Sequence, residues 1–198
     1  MCFGRNHCQE KSAPRDNNYC GGFALNAVLV ELGQPDDPIA VYQAIQKNQN
    51  TDVLSGCKTY DFLHNPAYIQ NGTLMSLPSG ICAAFKNYVT DRIVTVCYNS
   101  NFAGGPFKDF IDEEINRIVA SGMTVNSDSD FPKTDWTYVL ILVHWRHWIA
   151  VKKEKDSFTC YDPATGKEEK GNSVDAALQK SGYTPESING LYLYICIL

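Results

Sequence analysis

The sequence predicts an α+β domain, because helix-like segments come first and strand-like runs fill the last third. The segment CGGFALNAVLVELG (20–33) is apolar on nearly all sides, which is typical of a buried helix. The later runs YVLILVHW (138–145), HWIAVKK (147–153) and SFTCYD (157–162) are strand-like and are separated by turn residues. We therefore expect a buried N-terminal helix that packs on a C-terminal antiparallel sheet.

The remaining elements follow from caps and periodicity. Asp37 and Pro38 supply an N-cap and a first-turn proline for a helix that runs through about Lys47. Apolar spacing and β-branched runs predict further helices at 78–89, 106–120 and 174–180 and further strands at 92–98 and 191–198. Residues 49–75 are polar and rich in turn formers. The aromatic side chains between Tyr60 and Tyr68 either line a cleft or fill core, and we expect core.

The chain length of 198 residues suits one domain with a sizeable core. We assign residues 16–198 to this domain and residues 1–15 to an N-terminal extension, and we expect a monomer. The sequence contains no apolar run of about 18 residues, so no membrane span is expected. The N-terminus lacks the apolar segment of a Sec-type signal, which predicts a cytoplasmic protein or one exported by a signal-peptide-independent route.

Composition argues against several classes of binding protein. The net charge is −5 and the 17 Lys and Arg residues are scattered, whereas nucleic-acid binding needs clustered basic residues. The eight cysteines form no Cys-x-x-Cys pair and several lie in apolar runs, so we expect buried, reduced thiols. Because the Cys and His spacings fit no zinc site, no metal or other cofactor is expected.

Cys20 is the predicted nucleophile. A thiolate at a helix N-terminus is stabilised by the helix dipole and by the backbone N–H groups of the first turn. Gly21 and Gly22 are poor helix formers, and their use here is explained if substrate approaches closely and N–H groups face an oxyanion. The alternative is a structural cysteine beside a loose helix start.

His147 and Asp162 are the predicted base and its orienting acid. His147 begins one strand-like run, and Asp162 ends the next, in the turn sequence YDPATG. Antiparallel pairing of the two runs brings both residues to one end of the sheet, where Asp162 binds one imidazole nitrogen and the other faces a thiol. His144 is the rival base. Trp148, like the two glycines, is a predicted substrate contact.

These motifs resemble the papain-like cysteine peptidase superfamily, particularly its compact bacterial branch, which includes bacteriocin leader-peptide-cleaving peptidases. The matching pieces are CGGFALNAV, HWIAV, YDPATG and the helix-Gly-strand segment DEEINRIVASGMTV, in the order Cys, His, Asp, over roughly residues 16–166. The resemblance implies a papain-like fold and a thiol hydrolase that cleaves a peptide or isopeptide amide in a protein or peptide substrate.

One position departs from the family. Its members usually carry an oxyanion-stabilising Gln several residues before the Cys, and Pro14 stands there in this chain. Asn17 or Asn18 is the predicted replacement, with the Cys20 backbone N–H as the second donor. The alternatives are a deamidase or transglutaminase effector or toxin, a catalytically silent peptide-binding domain, and a fold in which Cys20 and His147 lie apart.

Overall fold

The computed structural model of the chain describes residues 3–4, 7–8, 18–49, 73–90, 93–98, 108–127, 137–144, 147–184 and 188–196. Three helices come first along these residues, and seven strands with two further helices among them follow. Their order is α1 (Cys20–Glu31), α2 (Pro38–Asn48), α3 (Pro78–Tyr88), β1 (Ile93–Tyr98), α4 (Lys108–Ala120), β2 (Thr124–Ser127), β3 (Tyr138–Val143), β4 (His147–Glu154), β5 (Ser157–Asp162), β6 (Lys167–Gly171), α5 (Val174–Lys180) and β7 (Ile188–Cys196).

All seven described strands form one sheet, in the order β2-β1-β7-β3-β4-β5-β6. Strands β1 and β2 are parallel, and every other neighbouring pair is antiparallel. The predicted α+β class is confirmed. The sheet is larger than the expected C-terminal one, because β1 and β2 from the middle of the chain join it through β7.

Helix α1 is buried because it packs under other helices on one face of the sheet. All residues from Cys20 through Val30 are buried, as expected for a helix without a polar side. Its apolar side chains share a core cluster with residues of α2, α3 and α4 and with Trp148 and Ala150 of β4. Gly33, at φ 82°, ends the helix in the left-handed conformation that glycine adopts readily.

Helix α5 covers the opposite face of the sheet. Val174, Ala177 and Leu178 pack there against a second cluster that includes Ile149 and Val151 of β4. Alternation along a strand explains how β4 serves both clusters, because successive side chains point to opposite faces. Strand β3 is buried at every position, which accounts for its unbroken apolar run YVLILV.

Most predicted element boundaries agree with the structure. Asp37 caps α2 by accepting a hydrogen bond from the Ala40 N–H at 2.9 Å. Strand β6 was not predicted, because its sequence KEEKG is charged and lies half-exposed at the sheet edge, where charged residues are common. The aromatic segment 60–68 and the turn 145–146 lie outside the described residues.

The described part of the predicted N-terminal extension packs onto the domain. The Phe3 ring stacks on the Tyr138 ring, with centroids 5.8 Å apart. The Gly4 N–H donates to Glu168 Oε1 at 2.7 Å, and the Tyr161 hydroxyl donates to the His7 carbonyl at 3.2 Å. Among the described helices, none has the length and apolar character needed to span a membrane.

Candidate active site

Cys20 is the first residue of α1. Tyr19 precedes it as the N-cap and provides no side-chain cap, and the first helical hydrogen bond runs from the Phe23 N–H to the Tyr19 carbonyl. The amides ahead of Phe23 therefore belong to the first turn, where helix geometry offers no acceptor inside the helix. The Cys20 residue is 2% exposed. The predicted nucleophile thus lies at the positive end of a buried helix.

His147 and Asp162 meet at one end of the sheet. Strands β4 and β5 pair antiparallel, with Ala150 opposite Tyr161, so Asp162 follows one step later, opposite Ile149. His147 lies two residues before Ile149 on the same face, a diagonal separation that long side chains bridge. His147 Nε2 and Asp162 Oδ1 are 2.7 Å apart.

Cys20 completes this arrangement, because its side chain is hydrogen-bonded to the His147 ring. Since Nε2 is occupied by Asp162, Nδ1 is the nitrogen left for sulfur. Burial acts to lower the pKa of His147. The hydrogen bonds to Asp162 and Cys20 outweigh burial and raise the pKa of His147 from 6.5 to about 10. The site therefore favours a protonated imidazole between a thiol sulfur and a carboxylate.

The Asp162 carboxylate has two further donors. The Ala164 N–H donates to Oδ1 at 2.9 Å, which forms the turn that YDPATG predicts, and the Tyr183 hydroxyl donates to Oδ2 at 3.1 Å. Burial acts to raise the pKa of Asp162. The hydrogen bonds from His147, Ala164 and Tyr183 outweigh it, and the pKa of Asp162 lies below its usual value. The acid is thereby held ionised.

His144, the rival base, occupies a different environment. It follows the last residue of β3, is exposed, and has a φ of 50°, which places it in the left-handed region at the start of the turn. The hydrogen bond to Asp162 belongs to His147. The geometry therefore favours His147 as the base.

The predicted substrate contacts Gly21, Gly22 and Trp148 are all buried. A Cβ on Gly21 would lie 2.3 Å from the Ser76 hydroxyl, and a Cβ on Gly22 would lie 2.5 Å from the Tyr42 Cβ. Trp148 Nε1 donates to the Ser76 carbonyl at 2.8 Å. Close packing between α1 and its neighbours accounts for both glycines, and a substrate contact by these residues stays a prediction.

Of the two predicted oxyanion residues, the structure describes Asn18, and Asn17 lies outside the described residues. The Asn18 backbone N–H donates to Thr73 Oγ1 at 2.8 Å, and its Nδ2 donates to the Thr73 carbonyl at 2.7 Å. These bonds fix the side chain two residues before the nucleophile.

Tyr183 is a site residue that the sequence reasoning missed. Its ring stacks on the His147 ring, with centroids 6.4 Å apart and planes inclined by 25°, in addition to its bond to Asp162. A weak indication exists in the sequence: Gly182 can end α5, and the residue after such a glycine commonly folds back onto the helix. That pattern does not reveal what the tyrosine would contact.

No family model, curated protein or solved structure matches this chain.

Proposed function

We propose that this protein is a cysteine peptidase of papain-like fold, with Cys20 as nucleophile, His147 as base and Asp162 as orienting acid. The observation that carries the proposal is the continuous chain of hydrogen bonds from Cys20 through His147 to Asp162. Nucleophile, base and orienting group in mutual hydrogen-bond reach are what thiol acyl transfer requires. The proposed substrate is a peptide or isopeptide amide of a protein.

The protonation pattern suits this chemistry. A carboxylate has only acceptors, so the neutral imidazole must carry its proton on Nε2 and present Nδ1 to the thiol as an acceptor. Transfer of the thiol proton to Nδ1 then gives a thiolate beside an imidazolium that Asp162 stabilises. The raised pKa of His147 is in keeping with such a pair.

The reaction then runs through a thioester. The Cys20 sulfur attacks the amide carbonyl carbon, forming a C–S bond and placing negative charge on the oxygen. The C–N bond breaks as His147 gives its proton to the leaving amine. Water, deprotonated by His147, attacks the thioester; the C–S bond breaks and the acid product leaves. Asn18 and the first-turn amides of α1 are the nearest candidates to stabilise the oxyanion.

The hydrogen bonds of the site argue against the alternative of a catalytically silent peptide-binding domain. A protein that only binds a peptide has no need of a carboxylate ionised by several donors or of an imidazole aligned between carboxylate and thiol. Asp162 is buried and His147 is half-buried, and removing such groups from water without a partner is costly. Asp162 is 6% exposed, so its charge is maintained by the hydrogen bonds described above.

The decisive experiment is alkylation with iodoacetamide, with the labelled cysteines located by mass spectrometry between pH 5 and pH 9. We expect Cys20 to react first and to remain reactive at pH 6. Cys160 serves as an internal control, because burial raises its pKa to about 12. Slow labelling of Cys20 at the same rate as Cys160 would refute the proposal.

A second step separates hydrolysis from deamidation. The wild type and Cys20→Ala are incubated with a peptide library, and the products are read by mass spectrometry. A peptidase gives shortened peptides in the wild-type reaction alone. Uncut peptides in which Gln or Asn has become Glu or Asp would instead assign the site to the deamidase alternative.

A further inference from the structure

We propose that Tyr183 is a positioning residue of this site, which fixes the Asp162 carboxylate and the His147 ring through one side chain. The inference rests on the proposed function, since it concerns the alignment of the same three groups. Tyr183 reaches both partners: its hydroxyl donates to Asp162 Oδ2 at 3.1 Å, and its ring centroid lies 6.4 Å from that of the His147 ring, with the planes inclined by 25°.

The hydroxyl restricts rotation of the carboxylate. Asp162 Oδ1 already accepts from His147 and from the Ala164 N–H. A carboxylate bound only through Oδ1 keeps freedom to rotate about that oxygen, whereas a donor on Oδ2 fixes its plane. Tyr183 provides that donor, and the plane of Asp162 determines the direction in which the His147 ring points.

The ring of Tyr183 acts on His147 directly. The 25° inclination makes the contact a near-parallel stack, which limits tilting of the imidazole out of its plane. The tyrosine is half-buried and packs against the α5 side of the sheet, so it also shields one side of the imidazole from water. The hydrogen bond to Asp162 and the ring contact with His147 thus both restrict the orientation of the His147 ring.

The end of α5 places Tyr183 accurately. The Tyr183 N–H donates to the Leu178 carbonyl at 2.9 Å and the Gly182 N–H to the Gln179 carbonyl at 3.0 Å, around Gly182 at φ 88°. These two bonds form a Schellman motif, which requires a left-handed residue at the position of Gly182. Leu178 in turn is buried in the cluster beneath α5. The tyrosine is therefore anchored to the sheet core.

Several titratable or charged groups face Asp162 and would influence an NMR titration of its carboxyl group. Its charge acts on His147 of β4, on Cys160 and Tyr161 of β5, and on Tyr183, and Lys167 of β6 lies opposite it in register. Burial and the Asp162 charge both raise the pKa of Tyr183 above its usual value. The phenol therefore stays protonated and able to donate at every pH at which the enzyme would work.

The test compares Tyr183→Phe, which removes only the hydroxyl, with Tyr183→Leu, which removes the ring as well. Tyr138→Phe is the matched control, because the hydroxyl of Tyr138 also meets a carboxylate, that of Glu31, and Tyr138 is buried more deeply than Tyr183. The readouts are NMR titration of the ¹³C-labelled Asp162 carboxyl and the pH profile of iodoacetamide alkylation at Cys20.

We expect Tyr183→Phe to raise the pKa of Asp162 and to slow alkylation of Cys20 at neutral pH roughly threefold, with roughly tenfold for Tyr183→Leu. Tyr138→Phe should change neither readout. An unchanged Asp162 titration in folded Tyr183→Phe would overturn the inference even if thermal stability fell. In the wild type alone, a Tyr183 phenol that titrates like an ordinary tyrosine would also overturn it.

The two proposals fail separately. If Cys20 of the wild type proves unreactive, the peptidase proposal falls, and the Asp162 titration still reports whether Tyr183 holds the carboxylate. If Cys20 is reactive and the Asp162 titration is the same in both proteins, only the role of Tyr183 is lost.

Discussion

Side chains at both ends of helix α1 contact strand β4, and these two junctions differ in the chemical groups that meet. At one end, the side chain of Cys20 meets His147, the first residue of β4. At the other, Lys152 Nζ lies 2.6 Å from Glu31 Oε2, at the last residue of α1. The lengths match, since 11 helical steps and five strand steps both cover about 16–17 Å. The helix and the strand therefore run side by side in the same direction.

The side chains of Lys152 and His147 are similarly buried, at 14% and 20% exposed, and the two junctions differ in the chemistry of the groups that meet. Lys152 is shared between Glu31 and the half-exposed Glu154, and its side chain is 14% exposed. The other junction joins a thiol that is 2% exposed to an imidazole whose pKa lies well above its usual value. One packing arrangement is thus held at one end by a lysine shared between two carboxylates and at the other by the contact between a thiol and an imidazole.

The largest expected effect comes from removing the base. His147→Ala should lower the rate of Cys20 alkylation at neutral pH by about 100- to 10,000-fold, because the thiol loses its proton acceptor. His144→Ala is the matched control and should retain most of the rate. Pseudo-first-order alkylation kinetics at pH 7 measure both variants, and the reverse ranking would transfer the role of base to His144.

A smaller effect should appear in the pH dependence of stability. The pKa of His147 is raised on folding, so its contribution is complete below about pH 6.5 and is lost as the pH rises toward about 10. The free energy of unfolding should fall by on the order of 3 kcal/mol across this window relative to His147→Gln. Urea unfolding of both proteins from pH 6 to pH 10 measures the difference, and parallel curves would contradict it.

The packing at the two ends of α1 offers a third test. Gly21→Ala should cost about 2 kcal/mol, because the new Cβ would meet Ser76 at 2.3–2.4 Å and the core is already close-packed. Gly33→Ala meets no atom within 4 Å, and its cost of about 1 kcal/mol should come from the positive φ alone. Chemical denaturation compares the two variants, and equal costs would argue against tight packing at the nucleophile end.

The smallest effect is expected at the Lys152 junction. Lys152→Met removes two ion pairs that are partly exposed to water, so the free energy of unfolding should change by less than about 1 kcal/mol. Glu154→Gln serves as its control on the exposed side. Cys20 alkylation should be unaffected by either change. A large loss of reactivity in Lys152→Met would mean that the two junctions are coupled through the helix.

The proposed catalytic arrangement could be predicted because each of its three residues lies in a recognisable local sequence pattern. Cys20 begins an all-apolar segment, and His147 begins a β-branched run. Asp162 precedes a proline and a later glycine, which define a turn. A single hairpin then brings the last two together, so only one long-range contact, from α1 to β4, had to be inferred.

Tyr183 could not be predicted because its contacts depend on where α5 lies on the sheet. That placement comes from the packing of Val174, Ala177 and Leu178 against the α5 side of β3 and β4, which no local pattern specifies. The packing of Gly21 against Ser76 is hidden for the same reason. Both involve residues distant in sequence whose side chains are unremarkable by themselves.

The position of β7 has a consequence for the order of synthesis. This strand pairs with β1 on one side and with β3 on the other, so the two halves of the described sheet meet through a strand that is synthesised after all the other described strands. Until then, the β3–β6 meander and the β1–β2 pair lack their shared neighbour. Contacts between segments so far apart in the chain slow folding, and a nascent chain would hold its thiol-bearing helix long before the sheet beneath it is complete.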